Sequence, residues 1–294
     1  MIEITIDQDV CKKDGLCAMV CPYGIFQQEE KGIIPKIDDI MREKCFRCGH
    51  CVAICPTGAI SHSHFQKGTV NPIKLENLPS YDQILELIRS RRSKRLFKET
   101  TVEREVIEKV LEAARFAPSG HNEQSTEFVV IQNKKIIQEI AALTAEGLGK
   151  LVKYTQNMIG RMMMRRALGQ RGAAYVAELV PEMEGLVSKF KSGTDWILWQ
   201  APILVLFCAD SAGGSFAGVN ANLALHNATL AAETLGLGCF YSGFVVATSE
   251  RDNSIARLIS LPETHKIYAA LAMGYPRLSF KKWPERNPAK VKWI

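Results

Sequence analysis

Four cysteines between Cys45 and Pro56, in the run CFRCGHCVAICP, constrain this chain more than any other feature. They are spaced three, three and four residues apart, and a proline closes the run. Three thiolates on one tight loop can hold three corners of an iron–sulfur cube. The fourth, displaced by one further residue, points away and serves a second cluster. A displaced fourth ligand requires a second run elsewhere in the chain.

That run lies upstream, at Cys11, Cys17 and Cys21-Pro22. On the same spacing its ligand positions are 11, 14, 17 and 21, and position 14 is Asp14. Over roughly its first sixty residues the chain resembles the bacterial two-cluster 4Fe-4S ferredoxins. Their crossed arrangement implies one cluster on Cys21, Cys45, Cys48 and Cys51, and the other on Cys11, Asp14, Cys17 and Cys55. Asp14 departs from the pattern. A carboxylate suits soft iron less well than a thiolate, so this corner is expected to be labile, convertible to 3Fe-4S or open to an exogenous ligand. The other reading makes Asp14 a loop residue beside a cluster that has lost one protein ligand. Zinc or disulfides would explain neither the repeated spacing nor the shared Cys-Pro ends.

A chain of 294 residues has room for more than this module. Seven of its nine cysteines precede residue 56, and the remaining two, Cys208 and Cys239, sit in apolar or glycine-rich surroundings that read as core. Charge is uneven. Residues 1–62 carry 7 Lys and Arg against 9 Asp and Glu, a net of −2, and the remainder carries 30 against 22, a net of +8. No helix-turn-helix, zinc finger or aromatic-basic interleaving accompanies the basic part, so a phosphate-bearing cofactor fits it better than nucleic acid. No apolar run reaches membrane-spanning length. The N-terminus alternates like a strand and lacks the features of a signal peptide, which points to the cytoplasm.

Residues 2–6, 33–37 and 59–65 read as short strands around the cluster loops, giving an iron–sulfur domain over residues 1–65. His62 and His64 fit a polar strand edge better than a ligand pair. Residues 66–79, with Gly, Asn and two prolines, read as a linker. Ser80 and Gln83 form a capping box ahead of Ile84, Leu85, Leu87 and Ile88 on one helical face. A second helix is expected from about Val102 to Arg115, with Val106, Ile107, Val110, Leu111 and Ala114 inward. Between them stands Arg91-Arg92-Ser93-Lys94-Arg95, a solvated face or a phosphate cradle. Strands follow at 127–131, 202–209 and 266–273.

Further motifs come in order: Pro118-Ser119-Gly120-His121-Asn122-Glu123-Gln124, the stretch around Asn227, then Gly236-Leu237-Gly238, Tyr241-Ser242-Gly243, Gly274-Tyr275-Pro276 and Arg286-Asn287-Pro288. With the basic run they make residues 80–294 resemble the nitroreductase family of FMN proteins. The fold class implied is α+β, a central sheet flanked by helices behind the ferredoxin-type domain. The resemblance implies that Arg91, Arg92, Ser93, Arg95 and Arg286 hold the FMN phosphate and that Pro118, Ser119, Asn122 and Gln124 border the flavin ring. It places a backbone N–H from Tyr241, Ser242 or Gly243 at flavin N5, and it implies a homodimer with both subunits contributing. Thr126 stands where the family commonly has tryptophan, so the packing there is expected to differ. His121 is a weak candidate proton donor, since a lone turn histidine is more often incidental. Residues 144–200 read as an insert, either a lid or a dimer arm, with a Met162-Met163-Met164 run suited to adaptable apolar contacts.

Clusters move single electrons, and FMN converts between one- and two-electron transfer. The chain is therefore expected to pass electrons from a low-potential donor such as ferredoxin through its clusters to FMN. From there they would go to a small organic acceptor such as a nitroaromatic, quinone or enone. The alternatives are a non-enzymatic electron carrier or redox sensor, or FMN reduced by NAD(P)H with the clusters as exit. No G-x-G-x-x-G follows a strand, so a Rossmann site for the nicotinamide is not indicated.

Overall fold

Thiolate loops leave little chain for a conventional core, and the N-terminal elements are correspondingly short. A computed structural model describes residues 2–66, 68–212, 214 and 216–294. Two compact units emerge, one of Met1–Pro79 with Gly120–Glu123 and one of Ser80–Ser119 with Gln124–Ile294.

The first unit contains β1 (Ile4–Ile6), α1 (Leu16–Val20), β2 (Phe26–Gln27), β3 (Lys36–Ile37), α2 (Asp39–Arg42), α3 (His50–Ile54) and β4 (Ile60–His62). β1 pairs antiparallel with β4, Ile4 opposite His62, and β2 pairs antiparallel with β3. Its core consists of Ile4, Cys17, Ile25, Phe26, Cys51 and Ile60. Two of those six are cluster-ligand candidates, so apolar burial alone is a weak hold on this unit. The strand expected at 33–37 shrinks to two residues, because Gly32 at φ +90° and Pro35 keep the chain before it out of a ladder.

The second unit runs α4 (Tyr81–Ser90), α5 (Arg104–Arg115), β5 (Glu127–Ile131), α6 (Lys134–Gln156), α7 (Met158–Lys191), β6 (Ile203–Asp210), α8 (Ala217–Thr234), β7 (Gly238–Tyr241), α9 (Gly243–Ser249), α10 (Ser254–Leu258) and β8 (His265–Gly274). Four strands make one antiparallel sheet in the order β5-β6-β8-β7. β6 is apolar on both sides because both are covered. Leu204, Leu206 and Cys208 pack with residues of α6, α9 and α10, while Ile203, Val205 and Phe207 pack with α5 and α8. Cys208 and Cys239 are both buried, and burial pushes their thiols up to about 12 and about 11.

The capping box forms as expected, Gln83 N–H donating to Ser80 Oγ and Ser80 N–H to Gln83 Oε1. Two expectations need correction. α4 packs on α8 but buries none of its residues, and Ile84 and Ile88 remain exposed. α5 begins at Arg104, leaving Val102 in the connection, and Val106 and Leu111 are only partly buried. The boundary at 144 falls inside α6, whose buried stripe Ile137, Ile140, Ala141, Thr144, Ala145 and Leu148 runs through it unbroken. α7 breaks at Gly169, where φ is +70° and ψ 172°.

Candidate cofactor sites

The two cysteine runs fold as near copies. In each, a left-handed residue follows the first cysteine by two positions, Lys13 at φ +57° and Arg47 at φ +59°. Each of these donates its backbone N–H to that cysteine's Sγ at 3.4 Å. Glycine then enters a five-residue helix, Gly15 at φ +74° before α1 and Gly49 at φ +76° before α3. Amides turned toward sulfur in this way suit thiolate more than thiol.

Two small cavities collect the ligand candidates. One is lined by Cys11, Asp14, Cys17 and Cys55, the other by Cys21, Cys45, Cys48 and Cys51. Each set takes its fourth member from the other run. Asp14 is exposed, and its Oδ1 also accepts the Leu16 N–H at 3.2 Å, so it both lines a cavity and caps α1. Among the described residues no three His, Cys, Asp or Glu side chains are grouped to hold a single metal ion. A four-iron cube bound at its corners fits ligands spread around a cavity.

Burial raises the Cys17 and Cys45 thiols and carries Cys51 to about 12. Cys55 is also raised by burial, but the Thr57 hydroxyl and the amides of Thr57, Ala59 and Gly58 outweigh this and lower it overall. Iron must therefore displace protons from most of these sulfurs, and its retention will weaken toward acid.

His62 does not stand at a polar strand edge. It is 4% exposed, lines the second cavity, and places Nε2 3.5 Å from Cys45 Sγ. Strand alternation carries the signal, because His62 shares a face of β4 with buried Ile60, and Phe65 adds to its cover at 5.1 Å.

In the second unit the basic run divides by role. Lys94 Nζ meets Glu233 Oε1 at 2.6 Å, with side chains 11% and 15% exposed, so Lys94 is committed to the fold. Arg91, Arg92 and Arg95 have no carboxylate partner among the described residues; Arg92 lies 6.0 Å over Phe280 and Arg95 5.5 Å over Phe240. Ser93 bridges to Cys239, and Lys94 N–H donates to the Cys239 carbonyl at 3.1 Å, which fixes the run beside β7. Guanidinium groups held near backbone and without acidic partners fit a phosphate. Arg286 is exposed, on a tail anchored upstream by Arg89 stacking 4.3 Å over Trp283.

The Ser242 N–H already donates to the Ala270 carbonyl at 2.8 Å, which removes it as a donor to a ring. Gly243 opens α9, where first-turn amides have no acceptor within the helix. Tyr241 is half exposed, and its hydroxyl is raised by burial of the ring. Ser119 Oγ accepts the Gln124 N–H at 3.0 Å, and Pro118 is exposed. Asn122 gives its side-chain amide to the Arg47 carbonyl at 2.8 Å, and His121 meets Phe46 edge-on at 6.3 Å. His121, Asn122 and Gln124 all adopt positive φ near 50°. A separate cavity of about 620 Å³, lined by Leu151, Tyr154, Met163, Met164, Arg251 and Arg257 among others, includes none of the residues expected to bind flavin.

The profile of the Nitroreductase family matches residues 88–275. The chain belongs to the nitroreductase family. A 4Fe-4S dicluster domain profile matches residues 10–60. A Methanothermobacter thermautotrophicus protein, provisionally named NADH dehydrogenase/NAD(P)H nitroreductase, is 25% identical across 69% of this chain and 83% of its own length. A ferredoxin of Pyrobaculum islandicum is 40% identical over 20% of this chain and half of that protein. A nitroreductase with bound FMN from Bacteroides fragilis shares the fold at TM-score 0.53 and 22% identity, over 72% of this chain and 98% of that one. No helix among the described residues is long and apolar enough to cross a membrane.

Proposed function

We propose that the chain is an iron–sulfur flavoprotein, an FMN-dependent oxidoreductase of nitroreductase type. In this reading it passes electrons from a low-potential donor such as ferredoxin through two clusters to FMN, and on to a small nitroaromatic, quinone or enone. The observation that carries the reading is the pair of cavities, each lined by ligand candidates from both cysteine runs, in a chain of this family. When bound, FMN supplies the conversion between one-electron delivery and two-electron reduction of an organic acceptor.

Arg91, Arg92 and Arg95 hold the phosphate with Ser93, and Arg286 adds to them from the tail. Gly243 offers the amide for the ring, bordered by Pro118, Ser119, Asn122, Gln124 and Tyr241. Cys11, Cys17 and Cys55 with Asp14 hold one cluster, which becomes 3Fe-4S if the Asp14 corner is lost. Cys21, Cys45, Cys48 and Cys51 hold the other. A second copy of the chain completes the flavin site, and the exposed Met158, Ile159 and Met162 at the start of α7 support a subunit contact there.

The test is an anaerobic titration of the reconstituted protein with reduced ferredoxin and, separately, with NADH and NADPH, following flavin bleaching. Bleaching by ferredoxin supports the relay. Bleaching by nicotinamide alone reverses it and makes the clusters an exit, a direction favoured by the name of the Methanothermobacter relative. Arg91→Ala is expected to weaken FMN binding about 10- to 100-fold, the equivalent of one charge-assisted hydrogen bond. Full flavin occupancy after dialysis would remove Arg91 from the site.

A further inference from the structure

We infer that His62 sets the reduction potential of the cluster on Cys21, Cys45, Cys48 and Cys51 by donating a hydrogen bond from Nε2 to Cys45 Sγ. The inference rests on the cluster reading above and adds a residue to it. Cys45 Sγ and His62 Nε2 are 3.5 Å apart, and contact alone does not say which atom carries the proton. The other ring nitrogen decides. His64 donates its backbone N–H to His62 Nδ1 at 3.1 Å, so Nδ1 is an acceptor and the proton of the neutral imidazole sits on Nε2, aimed at sulfur.

The surroundings hold this arrangement in place. His62 closes β4 opposite Ile4, is 4% exposed, and lines the same cavity as the four cysteines. Phe65 packs edge-on against both His62 at 5.1 Å and His64 at 5.0 Å, and its ring tip lies against Gly49, where an added Cβ would come within 3.0 Å of Cζ. A ring shielded from water makes a stronger donor to sulfur than an exposed one.

The repeat provides an internal control. In the first run the position matching His62 is Gln28, and the position matching Cys45 is Cys11. Gln28 spends its amide on the carbonyls of Lys13 at 3.0 Å and Ile33 at 2.8 Å, so Cys11 receives no such donor. Adding an electron increases the negative charge on the cluster sulfurs. A fixed N–H donor therefore favours the reduced form and raises the potential. No proton moves, since the bond is the same in both oxidation states. The effect is to draw the electron toward the cluster held by Cys45.

The experiment is an EPR-monitored redox titration of the reconstituted full-length protein, with iron content measured in parallel, for wild type, His62→Phe and His62→Gln. His62→Phe is expected to keep its iron and to lower one of the two cluster potentials. The one-electron partition between clusters should shift about tenfold, or 59 mV for a one-electron couple, with the other potential unmoved. His62→Gln, which retains an N–H donor, is expected to recover part of the shift. Unmoved potentials at full iron content would overturn the inference, as would a rise. If His62→Phe loses iron, pulsed EPR on wild type carrying ¹⁵N-histidine decides the matter. A histidine nitrogen coupled to the reduced cluster and retained in His50→Ala supports the bond, and none overturns it. A wild type that holds no iron after reconstitution would instead defeat the cluster reading itself, together with everything built on it.

Discussion

Residues 11–28 and 45–62 follow one course, thirty-four positions apart, and differ where it matters for chemistry. Their backbones agree at the left-handed residue, the glycine, the short helix and its buried cysteine, Cys17 or Cys51. Their side chains differ at twelve of the eighteen matched positions, and three of these bear on the cradles. Asp14 faces Cys48, Tyr23 faces Thr57, and Gln28 faces His62. The wrap of a chain around an iron–sulfur cube is fixed by sterics and by amides aimed at sulfur, so it tolerates little change. Which further donors reach the sulfurs is left to side chains, and there the two runs have diverged.

The largest effect should come from removing what the two runs share. Chelating the iron is expected to unfold the first unit, because two of the six residues in its buried core, Cys17 and Cys51, are cluster-ligand candidates and only four others complete that core. Hydrogen exchange would show β1 to β4 losing protection while β5 to β8 keep theirs. Protection of β1 against β4 in the iron-free protein would mean that the wrap is not cluster-dependent. Next in size is an exchange at the ligand that differs. Asp14→Cys should convert any 3Fe EPR signal to a stable 4Fe one, and Cys48→Asp should introduce lability into the other cradle. An unchanged spectrum and iron content in Asp14→Cys would strike Asp14 from the ligands.

A smaller effect separates the glycines. An alanine at either must hold φ near +75°, at a cost of about 1–2 kcal/mol. The Cβ of Gly15→Ala would also overlap Gln28 Oε1 and break that residue's two bonds to backbone carbonyls, each about 1 kcal/mol. Gly49→Ala need only push on the tip of Phe65. Thermal loss of cluster absorbance should therefore occur at a lower temperature in Gly15→Ala. The reverse order would show that Phe65 is the more rigid neighbour.

Ligand spacing is a local property, and the gathering of the cysteines around two cavities is accordingly legible in Cys45–Pro56 and its upstream partner. The sheet was legible too, since β6 is a continuous apolar run and β8 nearly so. Long-range partners were not. Nothing near Ser242 in sequence indicates that its amide is taken by Ala270, nor near Asn122 that its side chain reaches Arg47. The burial of His62 follows from alternation, which puts it on the face of Ile60, but the polar residue type argues for an edge and hides the signal. The continuity of α6 through 144 is not legible, because basic residues and methionines obscure a helical stripe whose small members, Ala141, Thr144 and Ala145, carry little hydrophobic signal.

The smallest expected effect tests the crossing of the ligands. Thr57 belongs to the second run in sequence, but its Oγ1 lies 3.6 Å from Cys55 Sγ, and Cys55 lines the cavity of the first. A hydroxyl at that distance is a weaker donor to sulfur than the buried imidazole N–H of His62. Thr57→Val removes the hydroxyl while keeping the branched shape, so it should lower one cluster potential by less than His62→Phe does. If the ligands are crossed, the two variants act on different clusters. Thr57→Val shifts the cluster that Asp14→Cys alters, and His62→Phe shifts the cluster that Cys48→Asp alters. Were each run to hold its own cluster instead, both variants would move the same potential, and the double variant would move it further while the second potential stayed still. A titration of the two single variants and the double therefore distinguishes crossed from uncrossed ligation through two side chains that belong to one run in sequence.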